Sequence, residues 1–99
     1  MTTSVGHGLP RRRDGVLVRQ TRGENAVFDL QTGALHFLNE TAMAIWQLCD
    51  CMTRPEEMVA AIGEISRMHP EIIEEDVRRI LEEFDRANLL TWQVDRVDD

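Results

Sequence analysis

The first third of the chain contains three short apolar runs separated by polar segments. The runs are Val16–Val18, Ala26–Leu30 and Ala34–Leu38, and they are rich in β-branched, aromatic and aliphatic residues. Runs of this length and composition, bounded by Gly, Asn and Thr, are typical of β-strands joined by turns. The pattern predicts an antiparallel meander of three strands, in which the third strand lies at an edge of the sheet.

From Asn39 onward the apolar residues recur with helical spacing. Asn39 stands at the N-cap position of a first helix that we expect to end near Asp50. Thr53 and Glu56 fit a capping box at the start of a second helix, which should stop before Pro70. Two helices are therefore predicted in the middle of the chain.

A third helix is indicated by an apolar stripe in the last third of the chain. Its members are Ile73, Val77, Ile80, Leu81 and Phe84. Asn88 is expected to take a left-handed conformation where this helix ends, and Thr91–Val94 has the composition of a short final strand. Strands followed by helices predict an α+β domain, and the spacing of the last two helices favours a winged-helix-like arrangement.

This domain should cover residues 15–92. Residues 1–14 have no apolar periodicity and include Arg11, Arg12 and Arg13, so we expect a flexible basic arm there. Residues 93–99 are expected to form an acidic tail. A chain of 99 residues has room for one such domain and no second one.

Composition narrows the classes of function. No apolar run approaches the roughly 20 residues of a membrane span, and the first residues lack the apolar core of a signal peptide, so a soluble cytosolic protein without membrane contact is expected. The formal net charge of −7 disfavours sequence-independent binding to nucleic acid. Nothing in the sequence therefore predicts a membrane or nucleic-acid partner.

Metal binding and catalysis have little support. Cys49 and Cys51 form a lone Cys-x-Cys pair without a second ligand pair at recognisable spacing, although His7, His36 and His69 are also present. Cys49 continues the apolar face of the first helix and is expected to be buried. No nucleophile with a base and no phosphate-binding loop stands out. We predict no catalytic residues, no metal and no cofactor.

The order of these motifs resembles that of PqqD-like proteins. In the front half the resemblance is carried by Val16-Leu17-Val18-Arg19, Ala26-Val27-Phe28-Asp29, Thr32-Gly33 and Leu38-Asn39-Glu40-Thr41-Ala42; in the back half, by Thr53 to Ile62, Asp76-Val77-Arg78-Arg79-Ile80-Leu81 and Leu89-Leu90. Together they span Gly15 to Leu90. Asp50-Cys51 departs from the Asp-Gly that is common in the family, which leaves a turn of different shape open, and the arginine run has no family counterpart.

The resemblance implies a non-catalytic recognition element for precursor peptides that are made by ribosomes and then modified. In such proteins the leader of the precursor docks as an extra strand on the third strand and lies against the third helix. The implied partners are a precursor leader peptide and a peptide-modifying enzyme, of the radical SAM type in the pathway that names the family. Self-pairing of the open edge into a homodimer also stays open.

The residues themselves offer a candidate surface for this role. Candidate peptide-binding residues lie on the third strand and on one flank of the third helix: Leu35, His36, Phe37, Leu38, Asp76, Arg79, Ile80 and Glu83. Considered one by one, Leu35, Phe37 and Leu38 fit better as core residues, since apolar side chains on a half-buried strand usually face inward. Without the resemblance, Asp76, Arg79 and Glu83 fit a solvated helix face with weak ion pairs better than a binding site.

The competing hypothesis is a winged-helix domain for protein interaction or transcription regulation. Its would-be recognition helix, from Glu71 to Arg86, carries seven acidic residues against three arginines. That excess of negative charge would repel the phosphates of DNA. We therefore expect leader binding without nucleic acid.

Overall fold

The computed structural model describes residues 8–94 of the protein and places five strands and three helices in them. In chain order they are β1 Leu9–Arg12, β2 Val16–Thr21, β3 Glu24–Asp29, β4 Leu35–Leu38, α1 Glu40–Leu48, α2 Pro55–Ile65, α3 Pro70–Arg86 and β5 Leu90–Gln93. The predicted α+β class is confirmed, and so is the order of three meander strands before three helices. None of the helices within residues 8–94 is long and apolar enough to cross a bilayer.

The meander has the sheet order β2-β3-β4, with antiparallel neighbours. In the register of the sheet, Leu17 stands opposite Phe28, and Phe28 stands opposite Leu35. Within residues 8–94, β4 pairs with β3 alone and β2 also pairs with β3 alone, so the sheet has two open edges. The prediction that the third meander strand is an edge is thus confirmed.

The helix start predicted from the sequence is correct for α1 and wrong by one position for α2. The Asn39 side chain accepts a hydrogen bond from the Ala42 backbone N–H at 2.8 Å, so the predicted N-cap of α1 is confirmed. The predicted capping box of α2 is wrong by one position: a Glu57 carboxylate oxygen accepts from the Arg54 N–H at 2.7 Å. Thr53 is used otherwise, since its hydroxyl bonds to the Asp50 carboxylate at 3.2 Å.

The core lies between the helices and the inner face of the meander. Trp46 of α1 meets Phe84 of α3 edge to face, with ring centroids 5.3 Å apart. All five residues of the apolar stripe that was predicted for the third helix are buried in α3. Val27 brings β3 into the same cluster. The helical periodicity therefore identified the buried face of α3 correctly.

The N-terminal arm differs from the prediction. Residues 9–12 form β1, which pairs antiparallel with β5, so the ordered fold begins before Gly15. On its other side β1 meets the turn after α1, where the Cys51 N–H donates to the Pro10 carbonyl at 2.9 Å. A pairing with residues about eighty positions away has no local signal. The final strand was correctly predicted, whereas the rest of the predicted arm, residues 1–7, and residues 95–99 of the tail lie outside the described residues.

Two arginines of the predicted basic arm bind the ends of helices. Arg12 donates to the carbonyl oxygens of Trp46 at 3.1 Å and Gln47 at 2.9 Å, near the C-terminus of α1. Arg13 donates to the Asn88 carbonyl at 2.6 Å, just beyond α3. Carbonyls at helix ends lack helical partners and carry partial negative charge, so guanidinium groups stabilise them. This arginine pair therefore belongs to the folded domain.

Arg13 also forms an ion pair with a buried carboxylate of β3. Its guanidinium lies 2.6 Å from an Asp29 carboxylate oxygen, and the other oxygen accepts from the Gln31 N–H at 2.9 Å. Burial by itself raises the pKa of Asp29, but the hydrogen bonds from Gln31, Arg13 and Thr32 outweigh it and leave the pKa below its ordinary value. Asp29 is thus held as a carboxylate that joins β3, the segment after β1 and the loop after β3.

The turn after α1 keeps the backbone shape that glycine favours. Cys51 has φ 68°, in the left-handed region, and the Asp50 carboxylate accepts from the Met52 N–H at 2.9 Å. Cys51 therefore stands where glycine is common in the family, and it still has the left-handed conformation that glycine favours. Asn88 has φ 62°, as predicted for the end of α3.

Candidate functional site: an open strand edge and a charged helix flank

The open edge of β4 carries two exposed apolar side chains. Leu35 is 46% exposed and Phe37 is 65% exposed. Their partners on β3 are Phe28 and Ala26, which alternate along that strand with the core residue Val27. Leu35 and Phe37 therefore point to the face of the sheet that lies away from the helices. The expectation that Leu35 and Phe37 are core residues is therefore wrong.

The other two predicted residues of β4 point toward the helices. His36 and Leu38 are half-buried, and Leu38 packs against the core cluster. The expectation that Leu38 is a core residue is therefore confirmed in part. An added strand beside β4 would consequently meet apolar surface on both of its faces.

The outer face of the sheet is an apolar surface that spans all three strands. Leu17 of β2 is 53% exposed, and it lies in one row with Phe28 and Leu35, beside Phe37. Scattered exposed apolar residues are normal, but a contiguous group across three strands is typical of an interaction surface. The alternation of side chains along the strands would have identified this face, had it been known which face of the sheet the helices cover.

One flank of α3 carries a network of three charged residues. The Arg79 guanidinium lies 3.3 Å from an Asp76 carboxylate oxygen and 3.2 Å from a Glu83 carboxylate oxygen. The hydrogen bonds that Arg79 donates to the carboxylates of Asp76 and Glu83 raise the pKa of Arg79 above its ordinary value. Ile80 is buried in the core beside this network, so it offers almost no surface to a ligand. The predicted flank therefore presents charge without the apolar contact expected of Ile80.

The predicted site residues fall into two groups. Leu35–Leu38 form one strand, and Asp76, Arg79 and Glu83 form one ion-paired network. Within residues 8–94 no hydrogen bond or ion pair joins the two groups. They border the same core, because Leu38 packs against the cluster that contains Ile80.

A cleft lies at the end of β4, between the sheet and α1. Its volume is about 820 Å³, and Phe37, Leu38, Asn25 and Met43 are among its lining residues. A cleft of this size is large enough for a side chain of a docked peptide. No local pattern indicates this cleft, because the hairpin β2–β3 and α1 meet there only in the folded chain.

The cysteines have no feature of a reactive or metal-binding pair. Cys49 is fully buried, and burial raises the pKa of its thiol to about 12, so the thiol stays protonated. The Cys51 thiol lies 3.1 Å from the side-chain oxygen of Gln93. In the part of the chain that the structure describes, no three His, Cys, Asp or Glu residues are grouped as metal ligands would be.

The sequence of the chain matches the profile of a known protein family. The sequence profile of the family described as "Coenzyme PQQ synthesis protein D (PqqD)" matches residues 24–90, about two-thirds of the chain. A search of curated proteins found no match.

Three solved structures have the same fold. TbiB1, solved in complex with the TbiA(beta) leader peptide, has a TM-score of 0.74 and 29% identity and covers 86% of this chain and 99% of its own. Lasso peptide synthetase B1, complexed with the leader peptide, has a TM-score of 0.74, 20% identity, and coverage of 83% and 96%. The PqqD truncation of Methylobacterium extorquens PqqCD, described as a functional stand-alone RiPP recognition element, has a TM-score of 0.72, 23% identity, and coverage of 87% and 92%.

Proposed function

The chain belongs to the PqqD family, and on that premise we propose that it binds the leader of a ribosomally made precursor peptide and presents it to a modifying enzyme. The leader adds as a strand to the open edge of β4. The single observation that carries the proposal is this edge with its exposed Leu35 and Phe37, in a fold that TbiB1 shares over 86% of the chain. TbiB1 was solved with a leader peptide bound.

Strand addition follows from the geometry of β4. An edge strand has a row of backbone N–H and C=O groups without strand partners, and an incoming peptide satisfies them while its side chains alternate between the two faces. On the outer face those side chains meet Leu35 and Phe37, and on the inner face they meet His36 and Leu38. A leader with apolar residues at alternate positions is therefore preferred.

The charged flank of α3 supplies selectivity in this proposal. Asp76 and Glu83 outnumber Arg79, so the network carries a net negative charge. A leader side chain that is basic gains from the carboxylates, whereas an acidic one can compete for Arg79. Such charges discriminate between peptides more than they add to affinity.

The role of the protein is to bind without catalysis. By holding the leader near a modifying enzyme, it raises the effective concentration of the precursor at the active site of that enzyme. The family resemblance suggests a radical SAM enzyme as the partner, in the cytosol, where the precursor is synthesised.

Backbone pairing is tested by scanning the leader with N-methyl groups. Candidate leaders are taken from short open reading frames encoded near the gene, and their binding is measured by calorimetric titration. In a strand ladder every second residue directs its backbone groups to the neighbouring strand, so N-methylation should weaken binding at alternate positions. Uniform loss, or loss without this alternation, contradicts strand addition.

The edge used is tested by two matched variants. Leu35 and Leu17 lie in one row of the outer face, at opposite edges, and are 46% and 53% exposed. Leu35→Ala should weaken leader binding and Leu17→Ala should leave it unchanged. The reverse result moves the leader to β2, and equal small effects remove the outer face from the site.

In this proposal, the open edge of β2 is a site at which a second copy of the protein can pair. β2 is six residues long, and its second side has no strand partner within residues 8–94. Sedimentation equilibrium with and without leader measures such a dimer. A dimer that the leader leaves intact assigns self-pairing to β2, whereas a dimer that the leader dissolves assigns it to β4.

A further inference from the structure

A second groove lies between α2 and α3, on a different side of α3 from Arg79. Its volume is about 550 Å³. Its lining includes Val59 of α2 and Val77 and Leu81 of α3, so its floor is apolar. At about 100° per residue, Glu74, Arg78 and Leu81 lie about 100° or more around α3 from Arg79, whereas Glu75 lies one turn before Arg79, between the two sides. A partner in this groove would leave the proposed leader surface free.

The rim of the groove is strongly acidic. It carries Glu56, Glu71, Glu74 and Glu75 against a single cation, Arg78. Within residues 8–94, Glu56, Glu74, Glu75 and Arg78 make no ion pair, and Glu71 has only the exposed His69 at 4.0 Å. By contrast, the carboxylates on the other flank of α3 are paired with Arg79. The rim thus has uncompensated negative charge around an apolar floor.

We infer that this groove docks a basic segment of the modifying enzyme, with an aliphatic side chain on the floor and Lys or Arg side chains against the rim. The charge complementarity selects this occupant: a leader or enzyme segment rich in acidic residues would be repelled. The inference rests on the proposed function and adds where the enzyme binds. It makes a ternary complex geometrically consistent, since leader and enzyme occupy different sides of α3.

The test uses charge reversal on the exposed rim. The double variant Glu56→Lys/Glu74→Lys places positive charge on the groove, and the control Glu64→Lys reverses an exposed carboxylate of α2 that does not line it. Both variants are titrated, loaded with leader, against the enzyme encoded beside the gene. The rim variant should bind the enzyme at least about tenfold more weakly. The control should match the wild type.

Leader affinity is measured in parallel for each variant, which separates the two proposals. Intact leader binding with lost enzyme binding supports the groove, and it also shows that the variant is folded. Unchanged enzyme affinity of the rim variant, or no binding of the enzyme to the wild type while the leader binds, overturns the groove and leaves leader recognition standing. No leader binding by the wild type overturns the proposed function instead.

The chemistry of the occupant is read with overlapping 15-residue peptides that tile the sequence of the enzyme. The peptides that bind should combine an aliphatic residue with at least two Lys or Arg residues, and their binding should weaken as salt is raised. Val59→Thr, which keeps the shape of the side chain and makes the floor polar, should weaken the same peptides. Binding by acidic peptides, or binding that Val59→Thr and the rim variant leave unchanged, contradicts the inference.

Discussion

Truncation of Phe37 is the sharpest test of the proposed leader site. The side chain is 65% exposed on the outer face of β4. A phenylalanine side chain has about 200 Å² of surface, so about 130 Å² is open to solvent, and an added strand that covers half of that removes about 65 Å² from water. At about 25 cal/mol per Å² this contributes about 1.6 kcal/mol, or roughly fifteenfold in Kd. Phe37→Ala should therefore weaken leader binding by about that factor in a calorimetric titration.

The matched control is Ile65→Ala. Ile65 is 80% exposed on the last turn of α2, so its truncation also removes an exposed apolar side chain, but away from β4. Because both positions are exposed, each variant should change the free energy of unfolding by no more than about 0.5 kcal/mol. A Kd for Phe37→Ala within twofold of the wild type, in a variant that unfolds normally, would refute the placement of the leader beside β4.

Three further predictions concern the helix flank, the turn after α1 and the buried carboxylate. Arg79→Glu leaves three neighbouring carboxylates, so it should weaken binding of a leader with an acidic side chain there and strengthen binding of one with a basic side chain, whereas Arg78→Glu, about 100° around the helix, should change neither; equal titrations of both variants would remove Arg79 from the site. Cys51→Gly should raise Tm by roughly 2–8 °C, since relief of about 1–2 kcal/mol of left-handed strain exceeds the extra unfolded-state entropy of glycine, while Cys51→Ala, which keeps the Cβ, should bring no gain. Asp29 stabilises the folded state above its unfolded pKa of about 3.9, and this contribution is lost as pH falls through the lower folded pKa. The difference in unfolding free energy between wild type and Asp29→Asn should hence shrink below about pH 4, and a constant difference would contradict the ion pair with Arg13.

The proposals give the two flanks of α3 different tasks. On one flank the carboxylates are already paired with Arg79, which suits a surface that reads the charge of a leader. On the other flank the rim around Val59 is uncompensated, which suits a partner that brings its own positive charge. A protein that presents a peptide to an enzyme needs two separate surfaces, and α3 offers both.

The candidate site was predicted from the sequence in outline. The third strand was correctly assigned to an edge, because a meander leaves its last strand without a second neighbour. The side of the sheet to which its residues point was not correctly predicted. Leu35 and Phe37 are apolar and were expected inside, but the register with β3 turns them outward. Ile80 was chosen for the site on helical spacing, yet the packing of α3 buries it. Whether an apolar residue faces core or solvent depends on which face the helices cover, and that is decided by packing.

The sequence by itself determined most of the local structure. Apolar periodicity set the strands and helices, Asn39 marked the start of α1, and Asn88 marked the end of α3, because these signals act through bonds within a few residues. The tertiary structure decided what depends on distant partners: the pairing of β1 with β5, the contact of Arg12 and Arg13 with helix ends, and the acidic groove. Each of these joins residues far apart in the chain, and no local pattern encodes which distant backbone or side chain will complete them.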